Sequence, residues 1–425
     1  MLKLFEYLRI LVCFLLVATV AGADVGVSQA EALFHVDQNM VYQIRIIEIT
    51  SGNKAGLGSA FSVSTNGLLA SNYHVVSQAI DDPHLYRLEC VGYDGKTFPL
   101  QIIDTDVIHD LAIVQCARRP MECLELSAMP IEKGATLFAL GNPLDLGMAI
   151  VEGTYNGFME KSFYEKIHFS ASVNPGMSGG PAINQEGKVV GINVSTMGQQ
   201  ISFLVPVKYL KRLLDRASTV DLDTPVDLNM RIEQQLIDNQ NEYMSRLMAA
   251  EWSLDSLGAA RVPRILTEML EWWGDRDRDK EALYEHTYVT CHSRDEIFLS
   301  SSFSTGKVEY RCDWFVSKGL NAPRFYHLLE EKFTNTMRLN SASKEDVANF
   351  KSRTDFVKIA GRDWQVTFCS RNYKKYPHLY DVIVKMASVT ETDRALLINL
   401  ALSGVTEDKG SAFVKKFMEA IQWQD

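Results

Sequence analysis

A serine set among glycines, in Asn174-Pro175-Gly176-Met177-Ser178-Gly179-Gly180-Pro181, is held by backbone conformation more than by side-chain packing. Gly176 ahead of it and Gly179 and Gly180 behind it permit a tight turn with φ values closed to residues bearing a Cβ, so the Ser178 hydroxyl projects from a rigid loop. The same turn would aim the amides of Gly176 and Ser178 at one point, a donor pair suited to the oxyanion of acyl transfer. A serine hydroxyl is a poor nucleophile until an imidazole takes its proton, and His74, in Leu69-Ala70-Ser71-Asn72-Tyr73-His74-Val75-Val76, is the candidate base. Asp110 heads the apolar run Leu111-Ala112-Ile113-Val114, where a carboxylate is costly unless paired. It would hold the imidazole tautomer and stabilise the imidazolium. Each residue alone has a plain structural reading: a glycine turn, a strand-end core histidine, a turn aspartate, and His109 as a solvated neighbour. Together, in chain order His, Asp, Ser, they point to an activated serine.

The wider pattern is more specific. Gly56-Leu57-Gly58-Ser59-Ala60-Phe61, Asn72-Tyr73-His74-Val75-Val76, Asp110-Leu111-Ala112-Ile113-Val114, the Ser178 segment, Val190-Gly191-Ile192-Asn193 and Ile201-Ser202-Phe203 together resemble the protease domain of the HtrA family. The resemblance covers about the first half of the chain. It implies a trypsin-like, all-β double β-barrel fold, His74, Asp110 and Ser178 as a catalytic triad, and the Gly176 and Ser178 amides as the oxyanion hole. Two departures stand out. Met177 occupies the place where the family usually has Asn, removing a polar side chain that helps brace the oxyanion loop. No Ile-Val-Gly-Gly-type start is present, which argues against activation by zymogen cleavage.

Alignment to the trypsin-like pattern puts Ser172 at the base of the primary specificity pocket, Val194, Ser195 and Thr196 along its edge strand, and Gln200 where glycine is frequent. A neutral floor cannot offset the desolvation of a lysine or arginine side chain. Gln200 would shorten the pocket, so cleavage is expected after small aliphatic residues. The sequon Asn193-Val194-Ser195 falls on that strand and is read as chance.

These residues need a scaffold. Short β-branched and apolar runs from Val41 to Val207, separated by turn signals, suit a pair of barrels. Tyr209-Leu210-Lys211-Arg212-Leu213-Leu214 reads as a helix closing that domain. Residues 1–23 carry Lys3 and Arg9, an apolar run from Ile10 to Val20, and Ala21-Gly22-Ala23, the pattern of a cleaved signal peptide. The run is short for a bilayer, which needs about 20 residues. The expected organisation is a signal peptide over 1–23, a protease domain over 24–217, a linker and amphipathic helix over 218–255, and an α+β domain of unrecognised function over 256–425.

Within that second region, Leu228, Ile232, Leu236, Tyr243 and Leu247 recur at helical spacing. Val262, Ile265, Leu266, Met269, Leu270 and Trp273 suggest another helix. Strands are expected over 284–291, 296–301, 307–316, 356–359, 364–368 and 380–386. A helix is expected over 323–339, with helices closing the chain. No PDZ-like carboxylate-binding loop is evident, although HtrA proteins normally carry PDZ modules after the protease.

The chain has 425 residues, 46% hydrophobic and 23% charged, which is ordinary globular composition. Its formal charge of −10, with no dense run of Lys and Arg, makes nucleic acid an unexpected partner. Once Cys13 leaves with the leader, three cysteines remain in each half, Cys90, Cys116 and Cys123, then Cys291, Cys312 and Cys369. Their pairing stays open. There is no Cys-x-x-Cys, and Cys291-His292 with His286 nearby reads as strand rather than zinc site, so neither cofactor nor metal is called for. The expectation is an exported serine endopeptidase, periplasmic or secreted, acting on polypeptide, without stable membrane insertion. The alternative is a protease-fold binding or chaperone module that has lost catalysis.

Overall fold

The computed structural model describes residues 27–118, 121–196, 200–220, 227–264, 267–277, 282–334, 337 and 339–424. The expected signal peptide and the 221–226 part of the expected linker lie outside the described residues. Among the described residues, no helix is long and apolar enough to cross a membrane.

Helix α1 (Gln29–Asp37), whose N-cap Ser28 accepts from the Glu31 amide at 3.2 Å, leads into the first barrel. That barrel comprises β1 (Val41–Glu48), β2 (Lys54–Ser62), β3 (Leu68–Ser71), β4 (Tyr86–Val91), β5 (Thr97–Asp106) and β6 (Leu111–Cys116), with helix α2 (Tyr73–Asp81) inserted after β3. Its strands close in the order β1-β2-β3-β6-β5-β4. The second comprises β7 (Thr136–Gly141), β8 (Ala149–Phe158), β9 (Ile167–Ser170), β10 (Pro181–Ile183), β11 (Val189–Thr196) and β12 (Ser202–Pro206), closed as β10-β11-β12-β9-β8-β7. The fold of this half is the expected double barrel. Closure leaves no free sheet edge, and inward side chains fill each lumen. Val41, Phe61, Phe138, Leu140 and Ile192 join the barrels in one shared core, so the loops meeting at that seam are rigidly backed.

Helix α3 (Val207–Ala217), the expected closing helix, lays Tyr209, Leu210 and Leu213 on the seam core. Helix α4 (Leu228–Ala249) starts at Asp227, whose side chain accepts from the Asn229 and Met230 amides. Both helices are tied to the first barrel by Asp104. Its fully buried carboxylate meets Arg216 of α3 and, at 3.3 Å, Arg231 of α4. A buried carboxylate without such partners would be strongly destabilising.

The C-terminal half is α+β, as expected. Strands β13 (Leu254–Leu257) and β14 (Ala260–Pro263) form a small sheet with the chain's last strand. β15 (Leu270–Arg276), β16 (Tyr284–Ser293) and β19 (Val308–Ser317) flank a hairpin of β17 (Ile297–Ser300) and β18 (Phe303–Thr305). Then come α5 (Ala322–Thr334), β20 (Lys351–Ile359), β21 (Arg362–Asn372), β22 (Tyr380–Ser388), β23 (Arg394–Val405), α6 (Glu407–Glu419) and β24 (Gln422–Trp423). Seven strands form one antiparallel sheet, ordered β15-β16-β19-β23-β22-β21-β20. Alternation along β19 sends Tyr310, Cys312 and Trp314 into the core shared with α6, and Phe315 toward Phe325 and Leu329 of α5.

Three local expectations are corrected. The helix expected over Val262–Trp273 is strand on both sides of its undescribed pair 265–266. Pro263 breaks a helical run, and β15 alternates Leu270 inward against an exposed Trp273. The helix expected to reach Leu339 ends at Thr334 among the described residues. The chain closes through strand β23, the single helix α6 and β24, rather than through several helices. β23 is buried on both faces of the sheet, so its apolar run carries no period of two.

The halves share a core. Tyr73, Val75 and Val76 of α2 pack with Ile297, Leu299 and Phe303 of the β17–β18 hairpin, and with Tyr373, Tyr376 and Leu379. Helix α4 bridges them, with Ile232 and Leu236 in this core and Tyr243, Met244 and Leu247 in the core of the large sheet. At the rim Lys375 pairs with Asp81 at 2.7 Å and His378 with Glu233 at 3.0 Å.

Candidate active site

The turn at Ser178 is built almost entirely from backbone. Gly176 (φ 96°) and Gly179 (φ 85°) lie in the left-handed region. Met177 N–H closes the turn on Asn174 O at 3.0 Å, and Gly180 N–H bonds Met177 O at 3.0 Å. Gly179 N–H and Asn193 N–H exchange bonds with Asn193 O and Gly180 O, both at 2.9 Å, pinning the turn to β11. A Cβ at Gly179 would lie 2.2 Å from the Ser59 carbonyl oxygen, and one at Gly180 would lie 2.1 Å from that of Leu140. Glycine is therefore required by space at both positions and also by conformation at Gly179.

Met177 is fully buried among Leu137, Ala139, Val173 and Ala182 of the second barrel. It contributes apolar anchoring where a polar brace was expected to be missed. The polar brace comes instead from Ser59. Its hydroxyl donates to Gly176 O at 2.6 Å and accepts from Asn142 N–H at 3.0 Å, while its amide donates to Ser178 O at 2.7 Å. Ser71 Oγ in turn holds Ser59 O at 2.7 Å. No sequence signal singles out Ser59, because the Gly176 carbonyl it binds lies 117 positions away. The amides of Gly176 and Ser178 donate to no other group among the described residues.

His74 is the second residue of α2, not a strand-end residue. Asp110 reaches it twice: Oδ1 accepts the His74 backbone N–H at 2.8 Å and Oδ2 meets the ring Nδ1 at 2.6 Å. Asp110 has φ 56°, a left-handed conformation that Asp tolerates better than most residues, fixed here because Asn72 Nδ2 holds its carbonyl at 2.8 Å. Burial pulls the His74 imidazole's pKa down, and the Asp110 carboxylate pushes it up; the net shift is upward. With Nδ1 on the carboxylate, Nε2 is the nitrogen left for a substrate proton. The Ser178 hydroxyl donates to Val194 O at 3.4 Å and makes no hydrogen bond to His74.

The other expected residues fall on β11 and on two exposed positions away from regular strands. Val194 is half-buried and Ser195 exposed on β11, whose pairing with β12 slips between Asn193 and Ser195. Thr196 belongs to the same strand. Ser172 and Gln200 are exposed, and Gln200 has φ 59°, a conformation that favours glycine. Asn193 of the sequon is fully buried, its amide donating to Leu140 O at 3.1 Å and Met177 O at 3.3 Å, so reading it as a chance match suits its surroundings. His109 is no solvated neighbour. It bonds Asp106 at 2.8 Å and stacks on Tyr209 at 3.7 Å. Beside His74 opens a cavity of about 330 Å³ that takes in Asp110, Val194 and Ser195. It also takes in Glu296 and Phe298 from the C-terminal half, brought there by packing that no local motif announces. Among the described residues no group of three or more His, Cys, Asp or Glu is disposed to hold a metal ion.

Comparisons with known proteins find matches to the first half of the chain. The family model described as a trypsin-like peptidase domain matches residues 58–192. Serine protease HTRA2, mitochondrial, of Drosophila grimshawi is 31% identical over 212 residues, 46% of this chain and 47% of that one. Its namesake in Drosophila erecta is 30% identical over 207 residues, with the same shares. The chain thus spans about half the length of the curated relatives it matches. Among solved structures, the serine endoprotease from Yersinia pestis aligns over 45% of this chain and 66% of its own, at 19% identity and a TM-score of 0.39. Deg5 aligns over 43% and 91%, at 26% identity and the same TM-score. Residues 58–192 thus match a trypsin-like peptidase domain, and the first half of the chain is similar to the HTRA2 serine proteases.

Proposed function

We propose that the chain is a serine endopeptidase that hydrolyses peptide bonds through an acyl-enzyme on Ser178. The observation that carries this reading is the double contact of Asp110 with His74 beside a glycine turn whose Gly176 and Ser178 amides are unengaged. In the proposed cycle His74 Nε2 takes the Ser178 proton as Oγ attacks the scissile carbonyl. The two amides stabilise the resulting oxyanion, and the imidazolium, held by Asp110, returns the proton to the leaving amine. Water then repeats the sequence on the acyl-enzyme. Ser178 Oγ is turned to Val194 O at 3.4 Å rather than to His74, and catalytic hydrogen bonds in unliganded sites are often long or unformed.

Ser172, Val194, Ser195, Thr196 and Gln200 are proposed to shape the primary pocket, with unfolded polypeptide as substrate. Export of the mature chain is proposed from the basic, apolar and small-residue succession at residues 1–23, with the protease over 24–217 and the α+β region from 256 onward. The second reading, a non-catalytic binding module, draws on the absence of a Ser178–His74 bond. Incubation with an unfolded protein decides between them: fragments that disappear with Ser178→Ala support the peptidase, and an intact substrate under both supports the module.

A further inference from the structure

The barrels do not enclose the cleft by themselves. β17 lies against α2, and Phe298 meets the His74 ring edge to face, centroids 5.9 Å apart with 72° between planes. The strand is firmly seated. Ile297 and Leu299 are buried with Tyr73 and Val76, and the Tyr73 hydroxyl donates to Leu299 O at 3.2 Å. Phe298 points the other way, half-buried, into the cavity that holds His74, Tyr164, Val194 and Ser195.

An extended peptide attacked at Ser178 would run its acyl arm along Val194–Thr196, the edge assigned to the primary pocket. Successive side chains of an extended strand point to opposite faces. With one residue in the primary pocket, its predecessor faces His74 and Phe298. The charges around that position are already matched within the protein. Glu296 is held by Lys307 and by Ser304 Oγ at 2.9 Å, Glu165 by Lys208, and Lys166 faces Asp295 at 3.7 Å. A charged substrate side chain would shed water there and find no unmatched counter-charge, whereas Phe298, Tyr164, Val107 and Val205 offer apolar contact.

We propose that the C-terminal region supplies a specificity wall to the protease, with Phe298 forming an apolar subsite for the second residue before the scissile bond. This rests on the endopeptidase reading of Ser178. It gives the C-terminal region a direct share in substrate choice.

The test uses the full mature chain and peptides that differ only at that second residue, Ala, Leu, Asp or Lys. The wild type is expected to favour Leu over Ala by about tenfold or more in kcat/KM, and to disfavour Asp and Lys. Phe298→Ala is expected to erase most of the Leu advantage, and Phe298→Trp, which narrows the subsite, to reduce it. Labelling of Ser178 by a small fluorophosphonate, which does not occupy this subsite, should proceed in both variants. An unchanged Leu-to-Ala ratio in labelled variants overturns the subsite. So does loss of labelling in folded Phe298→Ala protein, because Phe298 would then act by positioning His74. Wild-type protein that is neither labelled nor active overturns the endopeptidase reading instead.

Discussion

Asp110 binds His74 through both carboxylate oxygens, one on the backbone amide at 2.8 Å and the other on ring Nδ1 at 2.6 Å. The first contact satisfies an N–H in the opening turn of α2, where Asn72 provides no side-chain cap. One carboxylate thus fixes the helix start and the ring that projects from it. A negative charge at a helix N-terminus is favourable in itself, which lowers the cost of keeping Asp110 ionised in the seam.

The pH dependence follows from this pair. The base must be neutral, and the His74 pKa lies above its ordinary value of 6.5, lowered by burial but raised more by Asp110. The rising limb of kcat/KM is therefore expected at a midpoint above 6.5, and Asp110→Asn should shift it downward while cutting kcat by a factor on the order of 10⁴. The sign for stability runs the same way. A raised folded pKa contributes stability fully present below about 6.5 and lost as pH climbs through the folded value. A wild-type limb below 6.5 would contradict the pairing.

Ser59→Ala removes a hydroxyl that bridges Gly176 O and Asn142 N–H, leaving both half-buried groups short of a partner. A loss of about 1–3 kcal/mol in unfolding free energy is expected. A fall in kcat with little change in KM should accompany it, since the turn carrying the oxyanion donors loosens. Gly179→Ala is expected to be harsher, because its Cβ would collide with Ser59 O. Thermal melts and peptide kinetics check both; a Ser59→Ala enzyme with unaltered kcat would show the turn to be braced elsewhere.

Burial of Leu299 among Tyr73, Val76 and Tyr376 couples the two halves. Leu299→Ala should cost about 2–5 kcal/mol and lower the stability of the first barrel together with that of the hairpin. Hydrogen exchange in α2 reports this directly. Unchanged protection there would mean that the halves unfold independently.

The sulfurs of Cys90 and Cys116 lie 3.5 Å apart, both buried, and all six described cysteines are unbridged. The hydrogen bond from Cys90 brings the Cys116 thiol down to about 7. Under a mild oxidant this pair is expected to join before any other. Non-reducing peptide mapping that finds Cys123 or Cys369 linked first would refute that.

The candidate site was proposed from sequence because its parts are local: glycines around Ser178 announce the turn, and His74 and Asp110 each sit beside a strongly apolar run. The double barrel was legible for the same reason, its strands being short and punctuated. What stayed hidden depends on distant pairing. Ser59 acts across 117 positions on Gly176, and Tyr73 reaches Leu299 across 226. β23 hid because burial on both faces erased its alternation, and β15 because Leu270 and Trp273 share a spacing common to a helical face. Met177 looked like a lost brace and proved to be a core side chain, a distinction that only the neighbouring barrel could supply.

Covalent labelling tests the central claim most directly. Folded protein lacking residues 1–23, treated with a fluorophosphonate, should gain one adduct, mapped by mass spectrometry to Ser178, and the adduct should vanish in Ser178→Ala and fall by orders of magnitude in His74→Ala. Folded wild-type protein that stays unmodified, or an adduct that persists in Ser178→Ala, would contradict the assignment of Ser178 as an activated nucleophile.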